Sequence, residues 1–244
     1  MGYDYKIVQI SDNCFKLLNY LPNELINKQI NSLFTETFID KLDSQIKFFQ
    51  NQQIQLTIET SYLDKTLFCI VHFEKDYIII ETSEIKNSSE FIIKSEEIVA
   101  KAVEQCKATL DFNVLMQNIV NTIQDISGYD RVLLYKFEED NHGTVLATAT
   151  RNFEDDFLFH RFPASDIHVQ ARMLYINNKF RIIENVDEDN SFLTPSRNSI
   201  NNEFLDMSNC YLRGVSPIHI EYLKNMNVKS SMSISIVING KLGD

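Results

Sequence analysis

The chain of 244 residues has no apolar run approaching a membrane span, and its longest candidates, such as Tyr77-Ile78-Ile79-Ile80, are strand-sized. Its N-terminus, MGYDYKIVQIS, lacks the basic-then-apolar order of a signal peptide, and Lys6 stands where a myristoylation motif needs Ser or Thr. Both absences predict a cytoplasmic protein with no membrane partner. The four cysteines (Cys14, Cys69, Cys106, Cys210) are far apart and without CxxC or Cys/His ligand spacing, so neither a disulfide framework nor a zinc site is expected. A polybasic block is also missing. The net charge of −11 is spread along the chain, which argues against nucleic acid or an anionic membrane as partner. A neutral or anionic small ligand stays open wherever local arginines override that field. No internal repeat and no low-complexity segment is visible.

What is present is enough apolar material, 44% of residues, to build one large core or two of ordinary size. Tyr5 to Ser11 alternates like a half-buried strand, and Ser11-Asp12-Asn13 supplies helix-capping side chains for short helices around Phe15 to Leu18 and Glu24 to Ile30. Gln53 to Tyr62, Leu67 to Phe73 and Tyr77 to Thr82 read as strands. That predicts a small α+β domain over 1–85. Lys86-Asn87-Ser88-Ser89 opens a polar linker over 86–95, after which Ile98, Val99, Ala102, Val103, Cys106 and Leu110 recur at helical spacing. Val114 to Ile126 continues that pattern until Ser127-Gly128 stops it. Arg131 to Phe137 and Thr144 to Thr150 then form a hairpin across an acidic turn, so a second α+β domain is expected over 96–244.

Candidate chemistry gathers in this second part. Gly128-Tyr129-Asp130-Arg131 leads into a strand carrying Tyr135, and Phe162-Pro163-Ala164-Ser165-Asp166-Ile167 holds an aspartate in an apolar turn. Phe180-Arg181-Ile182-Ile183 has an arginine inside a strand-like run, while Ser231-Met232-Ser233-Ile234-Ser235 puts three hydroxyls on one strand face. With Arg181 and Arg213 these hydroxyls can clamp carboxylates, because a guanidinium fork matches a carboxylate. SPIHIEYL, residues 216–223, places His219 and Tyr222 on one helical face. The plainer reading of each is structural: a hydrogen-bonded core histidine, an arginine paired locally, a solvated row of serines. A hydrolase triad of Asp166 with His160 or His168 and a serine can also be drawn, but no nucleophile-elbow glycines surround a serine.

Taken in order, SGYDRVLLYKFEEDNHG, FPASDIHVQARMLY and LRGVSPIHIEYLKNMNVKSSMSISIVINGKL resemble the chromophore-binding GAF domain of phytochromes, in particular the bacteriophytochrome branch. The preceding YKIVQISDNCFKLLNYLPNELINKQINSLF resembles that family's PAS domain. The resemblance implies a PAS-like domain followed by a GAF domain, each a central antiparallel sheet with flanking helices. It further implies a red/far-red photoreceptor module that binds a linear tetrapyrrole, biliverdin, whose photoisomerisation drives signal transduction. Asp166 would face the pyrrole N–H groups and His219 the ring nitrogens through water. Arg181, Arg213, Ser231 and Ser233 would hold the propionates, and Tyr135, Phe162, Tyr175 and Tyr222 would wall the rotating ring. His160, Ile167 and Ser216 would complete the pocket.

Departures from the family shape further expectations. Ile218 occupies the position of the bilin-attaching cysteine of plant and many cyanobacterial phytochromes, and the upstream segment carrying the cysteine of bacteriophytochromes precedes this chain, so binding is expected to be non-covalent. His168 replaces the usual proline after PASDI. The final NGKLGD departs where the family continues with a further strand and helix. Downstream PHY and output modules, and a homodimer through the GAF helices, are the partners the resemblance suggests. No kinase motif is present, so the chain itself is not expected to be an enzyme. The rival readings are a GAF module for another ligand, such as a cyclic nucleotide or haem, and a dimerisation scaffold with a degenerate pocket.

Overall fold

A computed structural model describes residues 1–48, 55–85, 89–151, 156–167 and 169–243. The elements in chain order are β1 (Ile10–Ser11), α1 (Cys14–Leu18), α2 (Pro22–Leu25), α3 (Glu36–Phe48), β2 (Gln55–Tyr62), β3 (Lys65–Phe73), β4 (Ile78–Ile85), α4 (Ser89–Ala108) and α5 (Phe112–Ser127). There follow β5 (Arg131–Phe137), β6 (Gly143–Thr150), β7 (Arg161–Phe162), α6 (Val169–Asn177), β8 (Phe180–Ile183), β9 (Leu193–Thr194), α7 (Pro217–Asn225), β10 (Ser231–Ile234), β11 (Val237–Ile238) and β12 (Lys241–Leu242). They form two compact units, one of Met1–Lys86 with Phe180–Ser233, the other of Asn87–Lys179 with Ile234–Asp244.

The first unit is built on the antiparallel meander β2-β3-β4. Because side chains alternate along a strand, Leu67, Cys69, Val71 and Phe73 of β3 all turn to one face, where they pack with Leu25, Phe38, Leu42, Ile58 and Ile78. Helix α3, whose Phe38 and Leu42 are fully buried, covers that face; it lies after the short helices expected around Phe15 to Leu18 and Glu24 to Ile30, where the sequence reading assigns no element. The opposite face carries His72 and Glu81, both buried. Tyr5 to Ser11 is not the continuous strand its alternation predicts. Lys6 bridges Gln29, and Ile10–Ser11 pairs with Leu193–Thr194 of β9, so the pairing partners come from two distant places. Asp12 N also donates to Phe192 O at 2.8 Å. These bonds accompany the grouping of residues 180–233 with Met1–Lys86 in one compact unit.

The second unit packs α5 on the hairpin β5-β6, with Met116 and Val120 buried against Ala147 and Ala149. Asp111 caps α5 by accepting from the backbone N–H groups of Asn113 (2.8 Å) and Val114 (3.4 Å), and Gly128 ends the helix in the left-handed region at φ 73°. The stop at Gly128 is the one the sequence pattern predicts. Helix α4 begins at Ser89, inside the stretch expected as linker. Among the described residues no helix is long and apolar enough to cross a membrane.

Candidate functional site

The expected bilin-site residues divide between the two units. Arg181, Arg213, Ser216, His219, Tyr222, Ser231 and Ser233 lie in the first; Tyr135, His160, Phe162, Asp166, Ile167 and Tyr175 lie in the second. His168 lies outside the described residues.

In the first unit, Pro217 at the first turn of α7 sets the helix, so His219 and Tyr222 fall one turn apart. Their rings stack with centroids 6.3 Å apart and planes 13° from parallel. Burial, and then the charge of Arg181, hold the His219 imidazole below its ordinary value, which favours the neutral ring. The C-terminal end of α7 is tied by Lys224 to Asp187 at 2.9 Å, and Asp187 also meets Lys229 at 3.4 Å.

Arg181 sits on β8, is only 8% exposed, and spends its guanidinium on the loop before α7. It donates to the carbonyls of Tyr211 (2.9 Å), Arg213 (2.6 Å) and Gly214 (3.1 Å). Arg213 is half-buried and donates to the carbonyl of Cys210 at 2.6 Å. Asn190 completes the loop's support: its amide donates to Val215 O at 2.9 Å and its side-chain oxygen accepts from Val215 N at 3.0 Å. Ser231 and Ser233 stand half-buried on β10, which pairs with β8.

In the second unit, Tyr135 lies edge-on to Phe137 at 5.0 Å and 6.0 Å from Phe162, which is in turn 6.1 Å from Phe157. Gly143 opposes this cluster across the hairpin, and a Cβ there would fall 1.6 Å from Tyr135 Cζ. The tyrosine ring thus occupies space that only glycine leaves free. The turn carrying Asp166 is closed by Asp166 N donating to Pro163 O at 3.1 Å, and by Arg172 of α6, which donates to the carbonyls of Ala164 (3.2 Å) and Ile167 (2.5 Å). Asp166 itself is exposed and accepts from Ser165 at 3.5 Å, while the His160 ring packs on Phe157. That is not the geometry of an Asp–His–Ser relay. Arg172 and Asn190 escape a reading of the sequence, because an arginine or asparagine bound to distant carbonyls leaves no local spacing signal.

A family model described as the PAS fold matches residues 2–83, and one described as the GAF domain matches residues 111–243. Fold and matches together define the class: a PAS domain followed by a GAF domain. The chain is 38% identical to a bacteriophytochrome of Pseudomonas aeruginosa over 76% of its own length, and 30% identical to cyanobacterial phytochrome B of Nostoc sp. over 98%. It is also similar to the chromophore-binding domain of an unusual bacteriophytochrome from R. palustris, with TM-score 0.85, 30% identity, and coverage of 99% of this chain and 79% of that one. The chromophore-binding domain of the Stigmatella aurantiaca bacteriophytochrome gives TM-score 0.82 at 28% identity, covering 97% and 78%. The chain belongs to the phytochrome family, as its PAS–GAF region. It spans 26% of the Pseudomonas relative and 32% of the Nostoc one.

Proposed function

We propose that this chain is the light-sensing, chromophore-binding part of a bacteriophytochrome-like receptor, and that its ligand is biliverdin, held non-covalently. The observation that carries the reading is the match, over nearly the whole chain, to the chromophore-binding domain of the R. palustris bacteriophytochrome. The side chains supply the chemistry such a pigment requires. A buried, delocalised tetrapyrrole cation needs acceptors near its centre, cations at its carboxylates and aromatic walls. His219, neutral and stacked on Tyr222, is an acceptor; Arg213, with the hydroxyls of Ser231 and Ser233, supplies the cationic side; Tyr135 and Phe162 are aromatic wall. In this reading Asp166 presents its backbone carbonyl and carboxylate to the pyrrole N–H groups, with Arg172 holding the turn.

Photoisomerisation then alters contacts that pass to PHY and output modules outside this chain, which is itself no enzyme and works in the cytoplasm. The exposed apolar residues Val99 and Val103 of α4, beside Leu115, Ile123 and Ile126 of α5, suit the expected homodimer through these helices. Light scattering before and after Val103→Glu tests that contact. The central test is direct: the purified chain is mixed with biliverdin and its spectrum recorded. A red absorption band that changes under red light is the expected result. Unchanged free-pigment absorbance would overturn the reading in favour of another GAF ligand.

A further inference from the structure

Glu81 is a buried carboxylate that the bilin reading leaves without a task. It lies on β4, 7% exposed, on the sheet face opposite the main core of the first unit. His72 pairs with Ile79 and Ile70 with Glu81 in the β3–β4 ladder, so His72 and Glu81 are diagonal neighbours on that face. The His72 Nε2 lies 2.6 Å from Glu81 Oε1. The same carboxylate accepts two backbone N–H groups from the loop before α7: Tyr211 N at 2.9 Å on Oε1 and Leu212 N at 2.5 Å on Oε2. On the other side of this loop, Arg181 takes the carbonyls of Tyr211, Arg213 and Gly214. The segment Tyr211–Gly214 is therefore fixed by an anion at its N–H groups and by a cation at its carbonyls. Both anchors are buried and both come from strands.

Cys210 Sγ lies within 4.8 Å of the ligating atoms of His72 and Glu81, and the three are the types that bind zinc. The His72–Glu81 distance of 2.6 Å is nevertheless that of a hydrogen bond. Two ligands on one tetrahedral zinc stand roughly 3.3 Å apart, given bonds of about 2.0 to 2.1 Å. Both carboxylate oxygens are also taken by loop amides. The cluster is built to hold backbone, and the backbone it holds carries Arg213.

We propose that Glu81, oriented by His72, is a positioning residue for Arg213: by anchoring the amides of Tyr211 and Leu212 it sets where the Arg213 guanidinium meets a bilin propionate. This rests on the propionate clamp proposed above. The physical requirement is two adjacent acceptors. A glutamine is nearly isosteric with Glu81 but offers one oxygen and one NH2, so one loop N–H must face another donor. The loop shifts, and Arg213 shifts with it.

The test is a pair of titrations, with biliverdin and with biliverdin dimethyl ester, on the parent chain and on Glu81→Gln. The expected result is a loss of about tenfold in biliverdin affinity, the size of one lost hydrogen bond to a charged group. The ester has no propionate charge for Arg213 to meet, so its affinity should change less than about twofold. In an Arg213→Ala background, Glu81→Gln should add nothing further for biliverdin. Equal losses for both pigments would reduce Glu81 to a merely structural residue and overturn the proposal, as would no loss for either. A parent chain that binds neither pigment overturns the bilin reading itself. Should Glu81→Gln not fold, His72→Gln, which replaces the ring that orients the carboxylate, is titrated with both pigments. A loss confined to biliverdin is then the expected result, and equal losses or none overturn the proposal.

Discussion

His219 and Tyr222 stack one helical turn apart on α7, and the imidazole of that pair is kept below its ordinary value by burial and by Arg181. A histidine whose folded value is depressed contributes stability that is whole above its unfolded value of about 6.5 and is lost as pH falls through the folded value. The unfolded chain takes up the proton first. The pigment-free parent should therefore lose more melting temperature than His219→Gln between about pH 7.5 and about pH 5.5. Calorimetric scans of both proteins check this, and parallel curves would contradict it.

Arg181 and Arg213 should separate into two roles. Arg181 is buried on three loop carbonyls, so Arg181→Ala should cost the pigment-free chain about 3 kcal/mol, chiefly by leaving buried acceptors without a donor. Arg213, half-buried and bound to the Cys210 carbonyl, should cost less than about 1 kcal/mol when truncated, yet weaken biliverdin more than tenfold. Urea denaturation and biliverdin titration of both variants make the comparison. Equal effects on both properties would remove the distinction.

This division shows what sequence can and cannot reveal. The meander β2-β3-β4, the hairpin β5-β6 and the end of α5 were legible because alternation and the stop at Gly128 are local signals. His219 and Tyr222 were legible as a pair because a turn of helix is also local. Arg181 was visible as an arginine in a strand, but its loop carbonyls lie 30 to 33 positions away and nothing in the run FRII announces them. Glu81 is the extreme case: its amide partners Tyr211 and Leu212 are 130 and 131 positions distant. The same long-range pairing ties residues 180–233 to the first compact unit, and no local signal announces it. The turn Phe162–Ile167 was legible for its aspartate, while Arg172, which shapes it, carries no local signal of that role.

Gly143 should tolerate no side chain. An alanine Cβ would meet the Tyr135 ring at 1.6 Å, and relieving that overlap means moving the ring against Phe137 and Phe162. Overpacking of this kind costs about 1 to 3 kcal/mol. Gly143→Ala should lower the denaturation midpoint accordingly, and Tyr135→Ala in the same chain should recover part of the loss by removing the ring. A Gly143→Ala chain as stable as the parent would show that Tyr135 has room elsewhere.

Asp166→Asn keeps the backbone carbonyl of the turn and removes one negative charge. Under the bilin reading the pigment should still bind, but its cationic form should be less favoured, so the red band should bleach at lower pH than in the parent. Absorbance across pH, after biliverdin loading, records the shift. Superimposable titrations would place Asp166 away from the pigment's charge.

Attachment chemistry gives the last expectation. A thioether forms when a thiolate adds to a bilin vinyl group, the sulfur bonding to one carbon and a proton to the other, so it requires an accessible, ionisable thiol. Burial pushes the Cys14 thiol up, Cys69 up to about 11 and Cys210 up to about 12, leaving these three inert at neutral pH. Cys106 lies on α4. The native chain should therefore release its pigment in acid urea. Ile218, next to His219 on α7, is 79% exposed, so a cysteine there would have an ordinary thiol. Ile218→Cys should retain zinc-fluorescent bilin after denaturation, and its attachment rate should rise roughly tenfold per pH unit until the thiol ionises near about 8.5. Covalent pigment on the parent chain would show that a native cysteine reacts, and a pH-independent rate for Ile218→Cys would show that a step other than thiolate attack limits attachment.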